Sequence, residues 1–144
     1  MPEPSSTDLA ATASVTQLLA MAMRTVTSRV EAVLKPEGVS LDQWLVIEAL
    51  ARQRGLTMAE LATRTMATGP TLTRVVDRLV STATAYREVD AEDRRKVRVY
   101  LSPRGRLAHR RIATKVRRVE RDLLDRTTDP ASALDLLARW AETP

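Results

Sequence analysis

Few residues in this chain could carry out covalent or metal chemistry. There is no cysteine, which removes disulfides, thiol redox sensing and a cysteine nucleophile. His109 is the one histidine. A zinc site usually draws on several His or Cys, so no metal site is expected. There is no nucleophile–base pair, and four glycines form no phosphate-cradling loop. The reading is of a chain that is not an enzyme and needs no cofactor.

Positive charge is what the sequence concentrates. Between Ala85 and Arg111 stand nine Arg/Lys against four Asp/Glu, a net +5 that equals the charge of the whole 144-residue chain. A chain near neutral elsewhere and basic here suits a phosphate-bearing partner. Of 23 cations, 20 are Arg, which with abundant Ala also fits a GC-rich genome. The placement of the charge therefore carries the argument, and its total does not.

Two clusters could read nucleic acid. In the first, Leu72, Val75, Val76 and Leu79 recur at helical spacing and define an inner face. Pro70, Arg74, Asp77 and Arg78 fall largely opposite, with Thr71 and Thr73 at the flanks. Base-reading residues gather near the start of a recognition helix, which singles out Thr68, Thr71, Thr73 and Arg74. Arg74 could hold guanine through two parallel hydrogen bonds, and the threonines could touch a thymine methyl or a phosphate. The plain alternative is a solvated helix face. Asp77 would repel phosphate; it orients Arg74, Arg78 or a wing arginine, or it faces solvent.

The second cluster is Asp93, Arg94, Arg95 and Lys96, between two stretches with strand character. An arginine at such a tip can enter the narrow, negative minor groove. By itself a charge run of this kind is usually a solvated turn. Arg104 and Arg106 lie in the first turn of the next predicted helix, where the macrodipole disfavours cations. Either they contact DNA backbone or partner acids, or solvent screening makes the cost negligible.

The elements that must position these clusters can be read in order. Residues 1–7 lack a core pattern and read as a flexible tail. From Asp8 to Lys35 apolar residues recur at three- and four-residue spacing, giving one long helix stopped by Pro36 and Gly38. Ser40-Leu41-Asp42-Gln43 is a capping box, flanked by Val39 and Trp44 as a hydrophobic staple. That helix runs to about Arg54, with Gly55 as its stop. Thr57-Met58-Ala59-Glu60 repeats the box and opens a short helix ending near Thr65. A turn through Met66, Ala67 and Thr68 leads to a helix opened by Gly69-Pro70. Tyr86–Val89 and Val97–Leu101 read as strands, the second alternating apolar and polar residues. Ser102-Pro103 starts a fifth helix and Asp129-Pro130 a sixth.

Leu56-Thr57-Met58-Ala59-Glu60-Leu61-Ala62, Leu72 through Leu79, Asp93-Arg94-Arg95 and Leu101-Ser102-Pro103-Arg104-Gly105 occur in an order and spacing that resemble the multiple antibiotic resistance regulator (MarR) family. The resemblance spans the chain from first helix to last. It implies a mainly α fold of about six helices with a β-hairpin wing, a winged helix-turn-helix, within a single 1–144 domain. Residues 39–102 would form the DNA-binding lobe, and 8–38 with 103–144 mainly dimerisation helices. It implies a homodimer acting on double-stranded DNA, usually as a repressor on a palindrome and often released by a small phenolic or amphipathic ligand. It makes Arg95 the minor-groove probe and Asp93 the residue that holds the loop. One departure stands out. The family usually has glycine after the recognition helix, where this chain has Ala83, a residue that would be strained in a left-handed stop.

For a ligand, the resemblance directs attention to Met21, Arg24 and Thr25 on the first helix, Trp44 and Ile47 on the second, and His109 and Ile112 on the fifth. Apolar residues at helical spacing are more often core, and Trp44 already serves the staple. A low-specificity architectural DNA-binding protein is the competing function. A hydrophobic content of 44% with 28% charged residues is that of a soluble globular chain. No apolar run is long enough to span a bilayer, and no signal peptide is read, so the cytoplasm is the expected compartment.

Overall fold

The computed structural model describes residues 5–142, and its fold is a mainly α-helical winged helix-turn-helix. Among these residues the order is α1 (Ser6–Thr12), α2 (Val15–Leu34), a 3₁₀ turn (Lys35–Glu37), α3 (Leu41–Arg52), β1 (Leu56–Thr57), α4 (Met58–Thr65), α5 (Gly69–Ser81), β2 (Ala85–Val89), β3 (Val97–Leu101), α6 (Pro103–Leu124) and α7 (Pro130–Glu142). No helix among the described residues is long and apolar enough to cross a membrane.

Two expectations need correction at the start of the chain. Of the tail expected over 1–7, residues 1–4 lie outside the described residues, but Ser6 and Thr7 already belong to α1. The single helix expected from Asp8 to Lys35 is broken after Thr12. The break is local chemistry: the Ser14 N–H donates to Gln17 Oε1 at 2.9 Å, and the Gln17 N–H donates to Ser14 Oγ at 3.2 Å. This reciprocal cap starts a new helix, so the described residues form seven α-helices where about six were expected. Downstream, Gly38 takes a left-handed φ of 69° and closes the 3₁₀ turn.

The described chain divides into two compact units. One is Glu31–Val116; the other comprises the described residues on either side of it. The first unit is therefore larger than the 39–102 lobe read from the sequence. Leu34 at the end of α2, and Ile112, Ala113 and Val116 on α6, are buried. Both capping boxes form, at Ser40–Gln43 and at Thr57–Glu60. Each cap contributes roughly 1 kcal/mol. The helices then bury Trp44, Val46, Ile47, Leu50, Leu61, Leu72, Val76 and Leu79.

The wing sheet has three strands, not two, in the order β1-β3-β2, all antiparallel. Leu56 pairs with Val99, and Ala85 through Val89 pair with Leu101 back to Val97. Two residues are too few to show strand periodicity, so β1 leaves no pattern to read.

The exit from α5 decides how the sheet meets α6. The Ala83 N–H donates to Val80 O at 3.0 Å and the Thr84 N–H to Leu79 O at 2.9 Å, a Schellman stop with Ala83 at φ 56°. The strain expected at Ala83 is therefore present. Thr84 O then accepts the Ser102 N–H at 3.0 Å, and Ser102 Oγ accepts the Gly105 N–H at 2.9 Å. A Cβ on Gly105 would stand 2.0 Å from Thr84 O, so only glycine lets the two backbones come this close.

Two substitutions test this junction by denaturant unfolding. Ala83→Gly should raise stability by about 1 kcal/mol, because a Cβ in the left-handed region costs roughly that much. Gly105→Ala should lower it by at least about 2 kcal/mol, since backbone must move to admit the methyl. Equal stability of the two variants would refute the account.

Candidate nucleic-acid interface

The helix-turn-helix is set by a bend at Met66, which ends α4 with φ 56° and leaves its side chain 86% exposed. Helix α5 buries Leu72, Val76 and Leu79 and half-buries Val75. Thr68, Pro70, Thr73, Arg74, Asp77 and Arg78 are exposed, and Thr71 is half-buried. Six of the ten sequence-predicted DNA residues are thus gathered on this helix and its cap. Thr68 Oγ1 hydrogen-bonds Thr71 Oγ1 at 3.1 Å and does not cap the helix.

The side chains of Arg74 and Arg78 have no hydrogen bond or ion pair among the described residues. Both line a shallow depression with Thr71 and, from the start of α3, Ser40, Asp42 and Gln43. Asp77, open in the sequence reading, pairs with Arg87 on β2 at 2.5 Å. The carboxylate is thereby neutralised, and the outward face of α5 keeps its positive sign.

The wing loop, residues 90–96, is built on two aspartates. Asp90 accepts the Glu92 and Asp93 backbone N–H groups at 2.8 and 3.2 Å, and the Arg98 guanidinium. The Arg98 bond and these two N–H groups hold the Asp90 carboxyl down at a pKa of about 2. Arg98 also reaches Glu60 Oε2 at 3.3 Å and Gly55 O at 3.4 Å. Glu60 in turn accepts the Thr57 N–H at 2.8 Å, and that bond, first among several, lowers its pKa. A continuous polar chain thus runs from the wing loop to the N-cap of α4.

Asp93 accepts the Arg95 N–H at 3.1 Å, and its carboxylate lies 3.7 Å from Arg95 Nε. Asp93 is placed to shape the loop. Arg95 projects with its side chain 95% exposed. Arg94 and Lys96 are exposed and unpaired among the described residues. Arg104 is exposed, whereas Arg106 donates to Leu101 O at 2.9 Å and so braces the β3–α6 corner.

Of the ligand-binding set, Trp44, Ile47, His109 and Ile112 lie in Glu31–Val116, and Met21, Arg24 and Thr25 in the other unit. Met21, Arg24 and Thr25 are exposed on α2. Trp44, Ile47 and Ile112 are core, 2%, 1% and 0% exposed. Burial has used them as the helical spacing allowed. His109 stacks on Trp44, with ring centroids 5.4 Å apart and planes 9° from parallel.

Sequence reasoning missed Asp90 and Arg98 as positioning residues; it read Glu60 only as part of a capping box and offered a wing arginine for Asp77 without singling out Arg87. One signal was present: an Asp opening a polar loop bonds the backbone two and three residues on. The Arg98–Glu60 bond carried no sequence signal, because 38 residues separate the partners.

Comparison with known proteins agrees with this geometry. The profile of the MarR family matches residues 37–96. An HTH-type transcriptional repressor of Mycobacterium tuberculosis is 29% identical over 101 residues, covering 70% of this chain and 73% of that protein. NadR, solved in complex with 4-hydroxyphenylacetate, is 24% identical with a TM-score of 0.81 over 100% of both chains. MepR of S. aureus, solved in complex with DNA, is 20% identical with a TM-score of 0.77, covering 90% of this chain and 96% of that one. At these identities the two structures speak to the fold.

The wing brace has a pH signature. A carboxyl whose folded pKa is depressed stabilises above its unfolded value and loses that contribution as pH falls through the folded value. Amide-exchange protection at Glu92 and Asp93 should therefore hold down to the ordinary Asp range near 3.8 and fade toward about 2. Asp90→Ala should abolish that protection at neutral pH; a variant as protected as the parent would remove Asp90 from this role.

Proposed function

We propose that this chain is a DNA-binding transcriptional regulator of the MarR type, whose profile matches residues 37–96, and that it acts as a homodimeric repressor on a palindromic operator, released by a small phenolic or amphipathic ligand. One observation carries the DNA reading: unpaired Arg74 and Arg78 on the outward face of α5, with Arg94 and Arg95 exposed at the wing tip. Thr68, Pro70, Thr71, Thr73 and Arg74 read bases in the major groove. Arg94, Arg95 and Lys96 hold the flanking backbone and minor groove. Asp93 shapes the loop that carries them.

The homodimer follows from a deficit of core. Outside Glu31–Val116, Val30 is the one buried residue among those described. Val15, Met23, Leu134, Leu137 and Trp140 are 59%, 69%, 52%, 52% and 44% exposed. So much unburied apolar side chain calls for a covering surface. A second copy supplies it and doubles the reading helix. Two half-sites then lie about one helical turn, ~10 bp, apart. Two relatives support the repressor and ligand parts of this reading, the mycobacterial repressor and NadR with its bound phenolic acid.

Selection from a random duplex library at moderate salt tests the reading. One enriched inverted repeat is expected; binding with no motif would favour the low-specificity architectural alternative. On that repeat, Arg74→Ala should relax base preference by roughly 1–3 kcal/mol at one position. Arg95→Ala should weaken all sequences alike and flatten the salt dependence.

Sedimentation equilibrium tests the dimer. The expected mass is twice the 16.0 kDa of the chain. Leu137→Asp combined with Trp140→Ser should shift the population toward monomer; a parent monomeric at micromolar concentration would rule the homodimer out.

A further inference from the structure

Within Glu31–Val116 lies a cleft of about 490 Å³ that the DNA-reading surface does not use. Arg54 lines it just beyond α3, Tyr100 on β3, and Arg106, His109 and Arg110 on α6. Leu50 and Leu101, both buried, add apolar wall. No carboxylate lines it. The guanidiniums of Arg54 and Arg110 have no hydrogen bond or ion pair among the described residues, and that of Arg106 bonds only the Leu101 carbonyl.

The wall is held in place from behind. Gly55 takes a left-handed φ of 75°, and a Cβ there would stand 2.6 Å from the Tyr100 ring. Tyr100 stacks on Tyr86 across the strands, with centroids 5.3 Å apart. His109 is stacked on Trp44. Aromatic side chains fixed in this way lose little freedom when a ligand arrives.

We propose that this cleft binds a small organic phosphate, with the phosphate on Arg54, Arg106 and Arg110 and the organic body against Tyr100, Leu50 and Leu101. Three guanidiniums in one concave site carry more charge than a single carboxylate can neutralise. A phosphate dianion offers three acceptor oxygens and takes charge-assisted bonds from all three. The volume lies in the ordinary range for small-molecule sites, about 300–1,000 Å³. A duplex backbone would use the arginines but leave the apolar wall unfilled.

The consequence rests on the DNA-binding reading. Tyr100 and Leu101 continue the strand that carries Arg98, and Arg106 braces the corner after it. A phosphate that recruits Arg106 competes with the Leu101 carbonyl and loosens the strand that holds the wing. Ligand binding therefore lowers duplex affinity.

The test is calorimetric titration of the full chain with phenyl phosphate and with benzoate at matched ionic strength. Phenyl phosphate should bind once per chain, at least about tenfold tighter than benzoate. The double variant Arg54→Gln/Arg110→Gln should lose at least about tenfold, and Arg118→Gln, outside the cleft, should lose nothing. Absence of saturable binding, equal affinity for benzoate, or equal loss in Arg118→Gln would overturn the proposal. Duplex binding is measured on the same proteins. Phenyl phosphate should weaken it in the parent and not in the double variant. A double variant that instead loses duplex affinity, with a flatter salt dependence and no phosphate binding to lose, would make these arginines backbone contacts and end the proposal. Failure of the DNA reading is separately visible: the parent would bind phenyl phosphate and no duplex.

Discussion

The close approach of Thr84 to Gly105 is the constraint on which the rest of the lobe depends. Helix α5, sheet and α6 meet there. Thr84 O lies where any side chain at position 105 would begin. The approach is possible only because α5 ends abruptly, in a left-handed residue that turns the chain into β2 within four residues. Ser102 then joins the start of α6 to the same carbonyl. The direction of α5 and the root of the wing are therefore fixed by one set of backbone bonds. Ala83 bears a strain at this point that glycine would not. The surrounding bonds hold it there, as they must for any strained residue to persist.

Four acidic residues in the lobe, Glu37, Glu60, Asp77 and Asp90, are spent on frame, and the cations they leave unpaired form the candidate surface. Asp77 takes Arg87, Asp90 and Glu60 take Arg98, and Glu37 takes Arg111 and Lys115 at 3.0 and 2.5 Å. Each tie joins two elements, or joins the wing loop to its strand. Exposed pairs of this kind add little stability one by one, typically about 0–1 kcal/mol. Their value here is geometric. They cancel the carboxylates that would repel phosphate, and they leave Arg74, Arg78, Arg94 and Lys96 uncommitted. The net +5 of the chain thus becomes a directed charge.

How much of this was legible in the sequence depended on the range of the interaction. Both predicted capping boxes, the inner face of α5, the Met66 turn and strand β3 are encoded within a few residues, and the reading located them. The break before Ser14 was equally local, since Ser14-Val15-Thr16-Gln17 has the same grammar as Ser40–Gln43. It was hidden by apolar spacing that ran through it. Strand β1 and the Arg98–Glu60 tie depend on segments brought together only by folding. For the ligand set the pattern is ambiguous: Trp44, Ile47 and Ile112 carry the same spacing whether they line a ligand site or a core, and their side chains are buried.

The ties that hold the lobe share one response to acid. Lys115 and Arg111 lower the pKa of Glu37, the Thr57 backbone N–H lowers that of Glu60, and Arg98 lowers that of Asp90. Each carboxylate therefore stabilises the fold above its ordinary value and releases that contribution as pH falls through its depressed one. Glu37 joins the end of α2 to α6, Glu60 joins α4 to β3, and Asp90 shapes the wing. None of the three changes charge near neutral pH, so the frame is insensitive to pH where duplex binding would occur. A ligand that competes for a bond is one way to switch such a lobe, and the Arg106–Leu101 bond is exposed to that competition at the rim of an arginine-lined cleft.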